Sequence, residues 1–453
     1  MVKITRMTAI FIVLIIVGAT ASGAAVYYLT KPPEPIKLTV WAPKHFIDAF
    51  NDKLKLMVFE WAALKEAELK RPIEVEVIFI PWAEIIPKWL AAIEAKTTPD
   101  VSEIGTGHPA WFAKLGALLE VTDVIKDIGE DKFFRSALES VKWDGKYWAV
   151  PYGYEPYFAY WRMDLLRAAG FERPPETWDE FVVVAKALTK DVDGDGTIDY
   201  WGAGITLGRC WDGLHNFETI WWSFGGGVAA EDGKTLIFDS PQTRAALKFL
   251  ADLYLVHKVI PPESVEWTDA DNNIIYQKGA AAFIMNPGSV LEWLRKNRPK
   301  DPFTGADIFE NTWVGPPPAG PDGRRYFTGI NSLAIFKYTK YPELAKDLVK
   351  YIMKPENHLA HLKTAGGFRF PVYPALAEDP FFKTDRWYLA VLESLKYAYA
   401  NWPGPPTATY AEVGAKYIIN DMILNVVVYG WSVESAVKEA YAKIVEIYKA
   451  TPP

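Results

Sequence analysis

The stretch Asp191-Val192-Asp193-Gly194-Asp195-Gly196-Thr197-Ile198-Asp199 gathers hard oxygen donors at regular spacing. Carboxylates at loop positions 1, 3, 5 and 9, with glycine at 6, follow the pattern that wraps Ca²⁺. Such an ion takes several oxygens, and glycine permits the sharp turn that converges them. The expectation is a structural Ca²⁺ on Asp191, Asp193, Asp195, Thr197 and Asp199. Position 12 is Gly202 where a bidentate Glu is usual, and the alternative is an unmetalled acidic turn. His358 and His361 lie three apart on an expected helix, but two histidines alone do not complete a metal site. Gly202-Ala203-Gly204 followed by Gly208 lacks the third glycine of a dinucleotide loop, because Leu207 stands there. No phosphate-binding loop, Gly-x-Ser-x-Gly or His-Glu-x-x-His occurs, and no motif selects a pair among the many carboxylates for glycoside hydrolysis.

Aromatic residues carry a second signal. The chain holds 19 Trp, 23 Tyr and 24 Phe, most of which must be core, yet Trp residues recur beside Gly, Pro and Asn. Trp111, Trp221, Trp222, Trp267, Trp402 and Trp431 are of this kind. A flat ring matches the apolar face of a pyranose, whereas the bland reading of each is core packing. The net charge of -7, with no basic tract after the N-terminal segment, argues against nucleic acid. Cys210 is the single cysteine, so no internal disulfide forms, and it reads as a small buried residue.

Several elements must position these residues. Ile36 to Trp41 reads as a strand, followed by a helical stripe of Phe50, Leu54, Met57, Trp61 and Leu64, and by the alternating strand Ile73 to Phe79. This is a β-α-β unit with a parallel pair. A helix near Ala83 to Lys96 leads to a third strand at Pro99 to Val101, giving an open α/β sheet. Ligands of such sheets bind outside the carboxyl ends of the strands. The pattern restarts after Gly153, and Thr177-Trp178-Asp179-Glu180 forms a capping box. Later helices are expected at Pro241 to His257, Pro342 to Met353 and Ser432 to Tyr448.

Residues 7–29 are nearly free of charge, behind Lys3 and Arg6, and a Pro-rich linker follows. A run of this length spans a bilayer, and its flanking charges leave the bulk of the chain exported. Residues 1–35 are therefore expected to be a membrane anchor or a cleaved signal peptide, with a linker. No cysteine near position 25 offers a lipid attachment point.

Val150-Pro151-Tyr152-Gly153 and Phe158 through Leu165, then Ala168 to Phe171 and Pro174 to Glu180, form an ordered series of short motifs. Trp143 to Trp148, Gly279 to Ile284, Gly329 to Ser332 and Ala365 to Pro371 continue it. Together they resemble the extracellular solute-binding proteins that feed ABC sugar importers, the maltose-binding-like family. The resemblance implies a two-lobed α/β periplasmic-binding-protein-like fold of type II, with the ligand in the cleft between lobes. Mapped onto this chain, lobe 1 would be 36–152 plus 283–336, and lobe 2 would be 153–282 plus 337–453. Crossings would fall near Gly153 to Tyr157, near Ala282 and near Ile335 to Lys337.

The same resemblance implies site positions. The loop after the first strand holds Lys44 and His45, and the loop after the third holds His108 where maltose binders place an Asp-Arg pair. Glu155 lies near the first crossing. Trp221, Trp222, Trp402 and Tyr410 correspond to aromatic platforms, and Asn286, Gly288 and Arg369 to further contacts. The implied function is capture of a sugar or oligosaccharide and delivery to permease subunits, by a monomer without catalysis at the outer face of the membrane. The rival readings are a same-fold binder of a polyol, glycerol phosphodiester or peptide, and a secreted glycosidase.

Overall fold

A computed structural model describes residues 34–450. The expected anchor or signal segment lies outside the described residues. Among those described, no helix is long and apolar enough to cross a membrane.

The chain begins with strand β1 (Ile36–Pro43), helix Asp48–Leu69 and strand β2 (Ile73–Ile80). β1 and β2 pair in parallel from Ile36 against Ile73 to Pro43 against Ile80, so the β-α-β reading holds. Helix Trp82–Ala95 then returns the chain to β3 (Val101–Ile104), parallel to β1 on its other side. A small hairpin, β4 (Lys142–Trp143) with β5 (Lys146–Tyr147), precedes β6 (Val150–Pro156). One residue, Tyr157, separates β6 from β7 (Phe158–Arg162), and there the chain changes sheets.

β7 lies between β8 (Phe283–Asn286) and β9 (Thr312–Gly315), antiparallel to both. The long strand β10 (Tyr326–Ile335) carries the chain back, pairing antiparallel with β3 and with β6. β11 (Ala398–Tyr399) adds a short parallel edge to β10. One lobe thus forms on the six-stranded sheet and the other on the three-stranded sheet and its helices.

The lobe boundaries differ from those expected. β8 and β9 satisfy their backbone groups on β7, so these two strands belong to the second sheet, and within 283–336 only β10 joins the first; Val290, Leu291 and Leu294 of the helix between β8 and β9 pack in the first core. Helices Pro342–Ile352 and Pro355–Ala365 pack on helix Asp48–Leu69 of the first lobe. Their buried Leu348, Val349, Ile352 and Leu362 meet the stripe of Phe50, Leu54, Met57 and Trp61. The Trp61 indole N–H also donates to Asp347 at 2.7 Å. Helix Arg386–Ser394 packs on β9, with the Trp387 indole N–H donating to the Thr312 carbonyl at 3.1 Å, and from helix Ala408–Ala415 onward the C-terminal stretch joins the second lobe through helices Ile418–Val427 and Val433–Ala450.

Candidate functional site

A cavity opens between the lobes. The first lobe contributes the carboxyl ends of its parallel strands: Phe46 after β1, Trp82 after β2, and Gly105, Thr106 and His108 after β3. The crossing strands contribute Glu155, Tyr157, Asn286, Phe327, Gly329 and Asn331. The second lobe contributes Trp211, Asp212 and His215 from the first turns of helix Trp211–Ser223, together with Asp269 and Tyr410. The aromatic rings give flat apolar walls, and the polar groups are held by a second layer of side chains.

Three hydrogen-bonded clusters fix that polar lining. In the first, Arg369 is fully buried and donates to Glu103 at 2.9 Å and to Glu155 at 3.1 Å. Its guanidinium lies 5.2 Å from both the Phe50 and Phe368 rings. His45 reaches the other Glu103 oxygen at 3.1 Å. Burial alone would raise Glu103, but the neighbouring His45 and Arg369 outweigh it and hold the carboxyl at about 2. The Asn331 amide donates to Glu155 at 2.9 Å.

In the second cluster Asp212 accepts from the Tyr157 hydroxyl at 2.9 Å, the Asn272 amide at 2.8 Å and the Asn286 amide at 2.9 Å. Its own backbone N–H donates to Asp269 at 2.9 Å. Burial and the nearby Asp269 charge push Asp212 well above the usual carboxylate range, and burial raises Asp269 too. In the third cluster His215 Nδ1 meets Glu218 at 2.7 Å, and the Tyr410 hydroxyl donates to the other Glu218 oxygen. The His215 ring stacks on Phe327 at 3.5 Å and faces Trp211 at 5.6 Å.

His108 stands apart. Its Nδ1 accepts the Gly105 N–H at 3.0 Å, so Nε2 carries the ring proton. That buried Nε2 has no partner among the described residues, and burial holds the ring neutral, down at about 4. It is an orphan donor on a residue of the cavity wall.

The expected site residues divide accordingly. His108, Glu155, Asn286 and Tyr410 come together on the cavity wall. His45 and Arg369 lie behind it and hold Glu103 and Glu155. Lys44 is exposed and outside the lining, where Phe46 takes its expected place. Trp221 and Trp222 are not platforms: both are fully buried in the second core, and the Trp221 indole N–H is spent on Thr243 at 2.9 Å. Trp402 lies outside the lining too, with Arg325 stacked 3.9 Å from its ring. Gly288 serves packing, because a Cβ there would lie 1.9 Å from the Gly367 carbonyl oxygen. Cys210 is buried, and burial pushes its thiol up, away from the reactive thiolate form.

Trp211, Asp212, His215 and Asp269 went unread in the sequence. A Trp-Asp pair before a polar, Gly-containing segment was the only signal available.

At the acidic loop Asp191, Asp193 and Asp195 each turn one oxygen to a common point, all within 4.8 Å of one another and exposed. Asp191 also accepts from Gly194 and Gly196 N–H groups at 2.7 and 2.9 Å. Asp199 caps Val192 N–H at 2.7 Å and lies outside this group of three carboxylates, and Thr197 donates its N–H to Asp195 at 2.7 Å.

A sequence profile of bacterial extracellular solute-binding proteins matches residues 62–388, and the chain belongs to that family. It is 25% identical over 300 residues to the diacetylchitobiose-binding protein DasA of Streptomyces coelicolor, covering 64% of this chain and 65% of DasA. It is 23% identical over 353 residues to the maltotriose-binding protein of Pyrococcus abyssi, covering 76% and 70%. The chain spans about three fifths of the length of the curated relatives it matches first. Among solved structures, the maltose-bound MalE3 of T. maritima superposes with a TM-score of 0.75 at 27% identity, over 91% of this chain and all of that one. The two-lobed architecture is that of the maltose-binding-like proteins.

Proposed function

We propose that this protein is the extracellular substrate-binding component of an ABC importer. It holds a sugar or short oligosaccharide between its lobes and hands it unchanged to the permease subunits. The observation that carries this reading is the interlobe cavity, where aromatic faces stand beside carboxylates already fixed by buried donors. Pre-positioned acceptors lose little freedom when hydroxyls arrive, and every buried polar group then keeps a partner. DasA and MalE3 support the same ligand class by likeness. Binding is expected as a monomer, anchored at the outer face of the membrane by the N-terminal segment. We further propose that Asp191, Asp193 and Asp195 hold one Ca²⁺ as a clip on a surface turn, away from the cavity.

Calorimetry against a panel of mono- and oligosaccharides, polyols, glycerol phosphodiesters and peptides tests the ligand class, with a reducing-sugar assay run alongside. A saturable one-to-one complex with a sugar and no release of reducing ends is expected. Preference for a non-sugar solute, or sustained turnover, contradicts the reading.

A further inference from the structure

The charges around the cavity do not balance. Glu155, Asp212 and Asp269 line it, and Glu103 and Glu218 stand directly behind. Against these carboxylates stands one guanidinium, Arg369, already shared between Glu103 and Glu155. No Lys or Arg is among the lining residues. His45 is spent on Glu103 and His215 on Glu218. Even with both rings counted as cations, the three positive groups pair with Glu103, Glu155 and Glu218, which leaves Asp212 and Asp269 with no salt-bridge partner among the described residues.

Hydrogen-bonding capacity is lopsided in the same direction. The Asn286 amide hydrogens go to Asp212 and Asn272, the Asn331 amide to Glu155, and the Tyr157 and Tyr410 hydroxyls to Asp212 and Glu218. With His215 Nδ1–H directed at Glu218, its Nε2 is left as an acceptor. Glu155 Oε1 likewise has no partner among the described residues. Asp212, Asp269 and His215 Nε2 therefore put acceptors at the second-lobe end of the cavity, and Glu155 Oε1 adds one on the crossing strand. His108 Nε2–H and the Thr106 hydroxyl, whose oxygen accepts the Ile330 N–H at 2.8 Å, offer donors at the other.

Resting on the carbohydrate reading above, we infer that the preferred solute carries a protonated amine, as in a 2-amino-2-deoxy sugar or an oligosaccharide of such units. The ammonium belongs beside Asp212 and Asp269, where Trp211 and Tyr157 also line the cavity. Ring oxygens or hydroxyls at the far end accept from His108. An ammonium supplies three donors and one positive charge, which is what this end of the cavity lacks. A neutral sugar would leave both carboxylates with neutral donors alone.

The same arrangement sets a proton linkage. The groups facing Asp212 are Tyr157, Asn272, Asn286, Glu155 and Asp269; those facing Asp269 are Cys210, His215, Tyr157, Tyr417 and the Asp212 and Trp211 backbone N–H groups. None is a fixed cation. An arriving ammonium favours the ionised pair, so amine binding expels protons, and amine affinity rises with pH until the ligand itself loses its proton.

The test uses the intact protein and matched ligands: glucosamine, N-acetylglucosamine and glucose, and the β-1,4-linked dimers of each. Titrations near pH 6 are run in two buffers of different ionisation heat. The amine form of a set should bind at least ten-fold tighter than its acetamide and hydroxyl counterparts, with net proton release for the amine alone. Asp269→Asn, which keeps the shape and removes a charge, should erase most of that preference together with the net proton release. Equal or tighter binding of a neutral counterpart overturns the amine while leaving the sugar reading intact. Tight neutral binding that requires an added divalent metal overturns it as well. Binding of no member of any set overturns both.

Discussion

Trp211 and Trp222 are eleven residues apart on one helix and have opposite roles. Trp211 lines the cavity, and Trp222 is fully buried in the second core. Trp211→Ala should weaken ligand binding roughly ten-fold, about 1.4 kcal/mol, with little change in melting temperature. Trp222→Ala should cost about 3–5 kcal/mol of stability, with affinity nearly kept in the fraction still folded. Fluorescence titration and urea unfolding of the two variants separate these outcomes; a larger affinity loss for Trp222→Ala contradicts the assignment. Buried titratable groups give the pH response. Burial holds His358 and His361 at about 3 and His108 at about 4, whereas an unfolded histidine protonates near 6.5. The stability these neutral rings contribute is complete above pH 6.5 and is lost as pH falls toward 3 or 4, by about 2 kcal/mol per histidine at pH 5. Glu103, held at about 2, adds stability above its ordinary value of 4.5 that is lost as pH falls toward 2. Urea midpoints should therefore decline from pH 6.5 downward, and His358→Leu should flatten the slope between pH 6.5 and 5. A variant slope equal to that of the parent contradicts the account. At this scale residue type pointed to the ligand class but not to which ring faces it. Trp221 and Trp222 have the same neighbours in sequence as a platform would, and only tertiary packing turns them inward. Arg369 and His45 read as contacts because charged loop residues usually are, yet both are consumed by Glu103.

The elements that could be read in advance are those with one wet face. β1, helix Asp48–Leu69 and β2 alternate or repeat cleanly, and helix Trp178–Leu188 starts where the capping box places it, with Glu180 N–H donating to Thr177 Oγ1 at 3.2 Å. The box differs in detail, since the Glu180 carboxylate accepts from Glu176 N–H, one residue earlier than the motif prescribes. Helix Trp211–Ser223 was illegible for a physical reason. Its residues from Asp212 to Ser223 are all buried, and the buried set includes Asp212, His215, Asn216, Glu218 and Thr219. A helix without a solvent face has no hydrophobic period, and polar groups buried for binding erase what remains of one. The acidic loop makes the prediction that belongs here. If Ca²⁺ binds the native turn only, it stabilises by mass action. Chelator should lower the melting temperature of the protein and leave solute affinity unchanged, and Asp193→Ala should abolish the chelator effect. A melting curve indifferent to chelator removes the metal from the account.

At the scale of the whole molecule, two-lobed topology was readable because the motif order is local, while lobe membership was not. β8 and β9 had to find β7 across more than a hundred residues, and the amphipathic helices after β10 fit either lobe as far as sequence shows. Helix Ala408–Ala415 belongs to the second lobe yet packs on helix His108–Lys114 of the first, where a Cβ on Gly107 would lie 2.9 Å from Cβ of Ala411. The first-lobe loop carrying His108 and the second-lobe helix carrying Tyr410 therefore meet at the cavity. A solute held there touches both lobes at once and biases the molecule toward the state in which both contacts exist. Hydrogen exchange with and without saturating ligand reads this directly. The account predicts simultaneous protection of peptides covering residues 105–108, 211–215, 286–289 and 327–331, drawn from both lobes and the strands that join them. Protection confined to one lobe, or lying on an outer face, contradicts the claim that the solute is bound between the lobes.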